Sequence, residues 1–239
     1  MKNVLLLGAN SDVGKALAKV YAQSGYTLTL ASRSTTELQQ FVAQNNLEAT
    51  VLFFDATDLD SHVAFYEQLP EKPSVVVCAF GYLGDNLLAN TSEKERNTIL
   101  TTNFNGAVSI LSIAVEAMKK QGKGIIIGIS SVAGDRGKGS TVYYGAAKAG
   151  FTAYLSGLRN QLAHQNIHVM SVIPGYISSK MIAHLSTPSF LTSSPEHVAQ
   201  QIYKAQQRKS NVIYVSAIWR LVMCVIKIIP EFIFKKLKL

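Results

Sequence analysis

The sequence predicts a single α/β domain built on a parallel, doubly wound sheet, and two observations predict it. Seven apolar runs alternate with helical patterns of ten or more residues, with strands expected near 3–8, 26–31, 49–54, 74–79, 124–129, 167–173 and 211–215. Three of those runs, VLLLG, VVVCA and GIIIGI, are apolar at successive positions, as strands buried on both faces are. Helical crossovers between such strands give a parallel sheet with right-handed connections. The 239 residues suffice for one large core, and the apolar share of 48% belongs to a folded chain. No repeat, low-complexity segment or linker marks a second domain. Residues 1–215 are therefore expected to form the domain and 216–239 a C-terminal tail.

Gly8-Ala9-Asn10-Ser11-Asp12-Val13-Gly14 joins the first strand to the first helix. Glycine here lets the backbone approach a pyrophosphate, which sits on the helix N-terminus. Gly8, Asn10, Ser11, Asp12, Val13 and Gly14 are the candidate cradle. The carboxylate of Asp12 is unwelcome beside phosphates unless it points away or caps the helix. The second strand ends in TLASRS, which places Ser32 and Arg33 where an acidic residue would bind a ribose 2′-hydroxyl. A guanidinium grips a 2′-phosphate instead, the alternative being an ordinary solvated arginine. The expected cofactor is NADP(H) rather than NAD(H).

The stretch SVAGDRGKGSTVYYGAAK, Ser131 to Lys148, carries the candidate chemistry. A helix starting at Tyr143 stacks Tyr144 and Lys148 one turn apart on one face. A phenol titrates near ~10, and a neighbouring ammonium lowers that value, so the pair suits proton transfer near neutrality. Ser131, at the end of the preceding strand, can hydrogen-bond the same substrate oxygen. Tyr143 repeats the spacing to Ser130, but the residue four beyond it is Ala147, so only the 131/144/148 register gives a working set.

These motifs, in this order, resemble the short-chain dehydrogenase/reductase family, and the resemblance runs to about Val215. The family's T-G-x-x-x-G-x-G has Leu7 for its threonine and Asp12 for its middle glycine. Its N-N-A-G reads Cys78-Ala79-Phe80-Gly81, and its V-N-x-x-G reads Thr102-Asn103-Phe104-Asn105-Gly106. The resemblance implies a Rossmann-type NAD(P)-binding domain that moves a hydride between nicotinamide C4 and an alcohol or ketone carbon. It implies Tyr144 as acid and base, Lys148 lowering its pKa and binding ribose, and Ser131 polarising the carbonyl. Asn103 would complete a proton relay through a water, with Asn105 the alternative if the register shifts by two. Asp55 and Ala56 would line the adenine pocket, although Asp55 could be a plain helix cap, a role that suits Asp58 better. Ala79, Phe80, Gly81, Pro174 and Gly175 would border the cofactor. The loop from Tyr176 to Thr192 would close over the nicotinamide, with Ile177 beside it and Ser178 near the pyrophosphate. Ser194 should cap a helix starting at Pro195-Glu196. The family usually dimerises through the helices read here as 92–120 and 143–164.

GANSDVG, CAFGYLGD and the basic apolar tail resemble bacterial reductases that finish the 2′-epimerisation of decaprenylphosphoryl-ribose. A ketoreductase of acyl or steroid lipids and a non-catalytic NADPH-binding regulator are the alternatives.

The net charge of +8 is concentrated late: Lys204, Arg208, Lys209, Arg220, Lys227, Lys235, Lys236 and Lys238 oppose only Glu231 after residue 196. No basic motif or stacking module accompanies it, so a membrane surface, not nucleic acid, is the expected partner. Arg220, Lys227, Pro230 and Glu231 interrupt the tail, so it should not span a bilayer. Lys227, Glu231, Lys235 and Lys238 share one helical stripe, Ile226, Ile229, Ile233 and Leu237 lie mostly away from it, and Trp219 reads as an interface anchor. The alternative is that the apolar face packs on the domain or across a dimer. The two cysteines, Cys78 and Cys224, lack metal or C-x-x-C spacing, and no signal peptide precedes the first strand. Both fit a cytoplasmic protein, peripheral at the inner face of the membrane. His164 and His168 are four apart, but Gln165-Asn166 ends the helix, so neither is read as a metal ligand.

Overall fold

All seven apolar runs are strands in the computed structural model, which describes residues 2–237. They are β1 (Asn3–Leu7), β2 (Thr27–Ser32), β3 (Ala49–Phe53), β4 (Val75–Cys78), β5 (Gly124–Ile129), β6 (Ile167–Ile173) and, at the far edge, Val212–Tyr214. Between β6 and that edge come two short strands, β7 (Tyr176–Ile177) and β8 (Thr192–Ser193), so the edge strand is β9. The main sheet runs β3-β2-β1-β4-β5-β6-β9 with every pair parallel. Strand order reverses between β1 and β4. Ligands of open α/β sheets bind beyond the carboxyl ends of the strands at that point.

The helices are α1 (Asp12–Gln23), α2 (Thr35–Gln44), α3 (His62–Glu67), α4 (Glu93–Leu100), α5 (Gly106–Gln121), α6 (Val142–Gln161), α7 (Pro195–Gln207), α8 (Ala217–Ile228) and α9 (Glu231–Phe234). α1, α2 and α7 pack on one face of the sheet, and α3, α5 and α6 on the other. Leu17 and Ile202 are fully buried on the first side, Leu111 and Leu155 on the second. α4 and α5 form one continuous helix of 29 residues through a π-helical turn at Thr101–Asn105. Its length and composition would let it cross a membrane, but Ile99, Ile110 and Leu111 are wholly buried, as in a core helix.

The segment from 176 to 192 is more than an irregular loop. β7 and β8 pair at its two ends, which holds it as a closed flap over the sheet's carboxyl edge. Ser194 caps α7 as the sequence predicts, accepting from the His197 amide at 3.1 Å. His168 lies in β6 and His164 beyond the end of α6.

The tail corrects one expectation. Trp219 is buried, not an interface anchor. Its indole donates to the Leu191 carbonyl at 2.8 Å and meets Tyr176 edge-on at 5.4 Å. It also occupies the space where any side chain on Gly175 would lie. Arg136 donates to the Ile226 and Ile229 carbonyls, pairs with Glu231 at 3.0 Å and stacks on Phe234 at 3.7 Å. Lys227 pairs with Asp135 at 3.1 Å, and Lys238 lies outside the described residues.

Candidate active site

The nucleotide end is set by the turn after β1. Gly8 has φ +82°, and a Cβ there would fall 2.5 Å from the Phe80 amide nitrogen, so only glycine fits. Ser11 caps α1, accepting from the Gly14 amide at 3.0 Å and donating to the Gly8 carbonyl at 2.8 Å. Asp12 is turned aside. Its Oδ2 accepts from the Lys180 amide at 2.8 Å and so latches the 176–192 flap to the start of α1. Asn10 donates to Glu37 at 2.7 Å, and Lys15 pairs with the same carboxylate at 2.9 Å. The hydrogen bonds from Lys15 and Asn10 hold the Glu37 carboxyl down at about 2. The Asn10 side-chain oxygen is buried without a partner, while the residue itself lines the cavity.

Ser32 is buried at the end of β2, and Arg33 is exposed just past it. Asp55 does not reach the cavity. Its Oδ1 accepts from the Thr57 amide and hydroxyl, each at 2.8 Å, closing its own turn. Asp58 makes no side-chain cap bond, so neither aspartate caps the helical turn that follows. Ala56 is buried beside it.

A cavity of about 740 Å³ opens beyond β1, β4, β5 and β6. Ser131, Tyr144 and Lys148 share one wall of it, and Ala79, Phe80 and Gly81 line it at the end of β4. Val13 lies at the cradle, and Pro174, Gly175 and Ile177 line the side after β6. Gly14 packs against the Gly8 and Ala9 backbone behind the cavity. Ser178 faces a second hollow of about 690 Å³ behind the flap, where its amide donates to the Ser193 carbonyl.

Lys148 is buried, with Nζ 5.8 Å from the centre of the Tyr144 ring and 3.1 Å from the Ile129 carbonyl it donates to. Burial pushes the Tyr144 phenol up to about 12, against the hydrogen bond from Ser131, which favours the phenolate. Burial also brings the Lys148 ammonium down to about 8. The sequence predicts a phenol lowered by its ammonium neighbour. Here desolvation is the larger effect, and Tyr144 holds its proton at neutral pH. Ser130 is turned into the protein, donating to the Lys148 carbonyl, and the Tyr143 hydroxyl leaves toward Asn90.

Asn103 sits in the π-turn and is buried. It donates to the carbonyls of Tyr82 at 2.6 Å and Ile99 at 2.8 Å, and accepts from the Tyr82 amide at 3.2 Å. It therefore pins the segment after β4, while Asn105 is exposed. A residue with no local sequence signal completes the frame. Asn86 Oδ1 accepts from the amides of Tyr143 at 3.1 Å and Tyr144 at 3.2 Å, capping α6 from a distant loop. Thr141, the helix's own N-cap, supplies no side-chain bond. Asn86→Ala should cut kcat about tenfold through the displaced Tyr144, with cofactor affinity unchanged. Asn86→Asp, which keeps the acceptor, should restore it. Equal kcat in Asn86→Ala and wild type would make the cap structural only.

Leu87, Met181, Leu185 and Trp219 also line the cavity, as do Lys138 and His184. Burial lowers the Lys138 ammonium. Among the described residues, no group of three His, Cys, Asp or Glu side chains could hold a metal ion.

Comparison with known proteins agrees with this frame. A family model for short chain dehydrogenases matches residues 2–189. An uncharacterized oxidoreductase of Mycobacterium tuberculosis is 29% identical over 241 residues, covering 98% of this chain and 96% of its own. The 3-oxoacyl-acyl-carrier-protein reductase of Thermotoga maritima is 30% identical over 219 residues, covering 84% and 88%. Among solved structures, a short chain dehydrogenase from Burkholderia cenocepacia in complex with NADP superposes with a TM-score of 0.84 at 16% identity, covering 99% and 98%. The glycine turn, the parallel sheet and this match across most of the chain place the protein in the short chain dehydrogenase family, as an oxidoreductase.

Proposed function

We propose that this oxidoreductase transfers a hydride between NADP(H) and a ketone or alcohol carbon, with Tyr144 as the group that gives and takes the proton. The observation that carries the reading is the meeting of Ser131, Tyr144 and Lys148 on one wall of the cavity beyond the sheet's switch point. The nicotinamide, when bound, supplies or receives the hydride. Tyr144 keeps a proton to about 12 and is loaded to protonate a carbonyl oxygen. Ser131 orients that oxygen from beside the phenol. Lys148 carries its charge below about 8 and anchors the ribose side. Asn103 and Asn86 hold the two segments that frame Tyr144. Turnover of NADPH against a panel of ketones tests the reading. Cofactor binding with no turnover on any carbonyl would leave a non-catalytic regulator.

For NADP(H), the support is Arg33 at the end of β2 with Glu37 already held by Lys15 and Asn10. The structurally similar Burkholderia protein binds NADP. Arg33→Asp should weaken NADPH binding by roughly one to two decades, the loss of a contact contributing about 1.5–3 kcal/mol, while NADH binding changes little. An equal loss for both cofactors would show that Arg33 does not read the 2′-phosphate.

The substrate we favour is amphipathic, a lipid-linked sugar above an acyl or steroid ketone. The cavity lining combines Lys138 and His184 with Leu87, Met181, Leu185 and Trp219, a mixture that suits a polar group joined to an apolar one. The cytoplasm is the proposed location. The faces of α4, α5 and α6 are the proposed surface for a second copy, and a monomeric solution mass across micromolar concentrations would overturn it.

A further inference from the structure

We infer that the outward face of α8 seats this protein on an anionic lipid surface, with the cavity's apolar rim turned toward the lipid. α8 buries Trp219 and Met223, four residues apart. Its opposite face carries Ile218, Leu221, Val225 and Ile228 at spacings of three, four and three, one stripe of a helix. These are exposed by 36%, 67%, 52% and 75%, where a helix packed on a water-soluble domain places polar residues. Phe232, beyond Pro230, is exposed by 66%. This set differs from the stripe the sequence suggested, because Trp219 faces inward and the Lys227 ammonium is paired with Asp135.

Two further observations choose the occupant. Arg220 within α8 and Lys235 and Lys236 just after α9 are exposed, and the one acid of this segment, Glu231, is paired with Arg136. A second copy related by a twofold axis would bring these like charges together, whereas anionic headgroups pair with them. The apolar exposure also continues toward the cavity. Phe190, exposed by 72%, adjoins Leu191, whose carbonyl holds the Trp219 indole. Leu87 and Leu185, both exposed, line the cavity itself. A chain segment of a lipid could pass from such a surface into the site without crossing water. The docking stands whether or not the hydride chemistry is as proposed.

The chain carries its own reporter. Cys224 is exposed and lies between Leu221 and Val225, while Cys78 is buried with its thiol pushed up to about 12. An environment-sensitive dye attached at Cys224 should shift to the blue with vesicles of equimolar phosphatidylglycerol and phosphatidylcholine. The shift should fall with added salt and be weak with phosphatidylcholine alone. Replacing Leu221, Val225 and Ile228 together by Gln should lower vesicle co-sedimentation about a hundredfold or more, since each removed side chain forfeits much of its apolar transfer. The triple variant should keep the wild-type melting midpoint and turnover on a small soluble ketone, because these side chains touch neither core nor site. Replacing Arg220, Lys235 and Lys236 by Gln should lower binding to anionic vesicles alone. An unshifted dye with protein left in the supernatant overturns the proposal. So does a triple-Gln variant that binds as wild type, or one whose sedimenting mass halves while wild type ignores vesicles, which would assign the face to a second copy.

Discussion

Tyr144→Phe is expected to lower turnover by roughly 10²–10⁴-fold while NADPH affinity stays nearly unchanged, because the ring remains and only the general acid is lost. Tyr143→Phe should be far milder. The Tyr143 hydroxyl meets the Asn90 side chain at 3.0 Å and takes no part in the cavity wall. The pH profile adds a second readout. A phenol at about 12 stays protonated through the working range, so it does not limit ketone reduction. Lys148 is cationic below about 8 and neutral above it, so reduction should hold level up to about pH 8 and decline beyond. Full activity in Tyr144→Phe, or a stronger defect in Tyr143→Phe, would place the proton donor elsewhere.

Trp219→Ala should have the largest effect on stability of any change in the tail. Truncating a buried tryptophan costs about 3–5 kcal/mol, which for a domain of this size lowers the melting midpoint by roughly 10 °C. The loss reaches the site, because the indole bonds Leu191 at the end of the flap and lines the cavity. KM for a bulky substrate should rise more than the Kd for NADPH. Trp219→Phe keeps part of the apolar contact and loses the bond to Leu191, so it should fall between the two. A Trp219→Ala protein that melts with wild type would show that the tail contributes nothing to the fold. Ending the chain at Val215 removes Trp219, Met223 and Phe234 together and should leave little folded protein.

The sheet was legible because its signal is local. Apolar runs such as VVVCA and GIIIGI need both faces covered, and the helical stretches between them leave a parallel sheet as the answer. That Tyr144 and Lys148 line the same cavity was legible for the same reason, since helical spacing sets Tyr144 apart from Tyr143. What escaped is what tertiary contact decides. Asn86 reaches Tyr144 across 58 residues, and no neighbour in the sequence marks it. Trp219 carries the same polar edge at an interface as in a core, so its direction depends on Gly175 leaving room for it. The charge on Asp12 looked hostile to phosphate until the flap supplied an amide to take it. The phenol's pKa required the depth of burial, which a residue list does not contain.

The π-turn at Thr101–Asn105 constrains chain length rather than residue identity. Deleting one residue there would let the segment relax to regular α-helix, a better backbone on local terms. Yet each residue removed turns everything before it by about 100° relative to α5. Asn103 would leave Tyr82, and Glu95, whose carboxylate holds the Asp85 amide and the Tyr82 hydroxyl, would swing off the same loop. A gap of one residue at this place should thus be as disabling as the loss of a catalytic group. Substitutions at the exposed Asn105 should pass almost unnoticed.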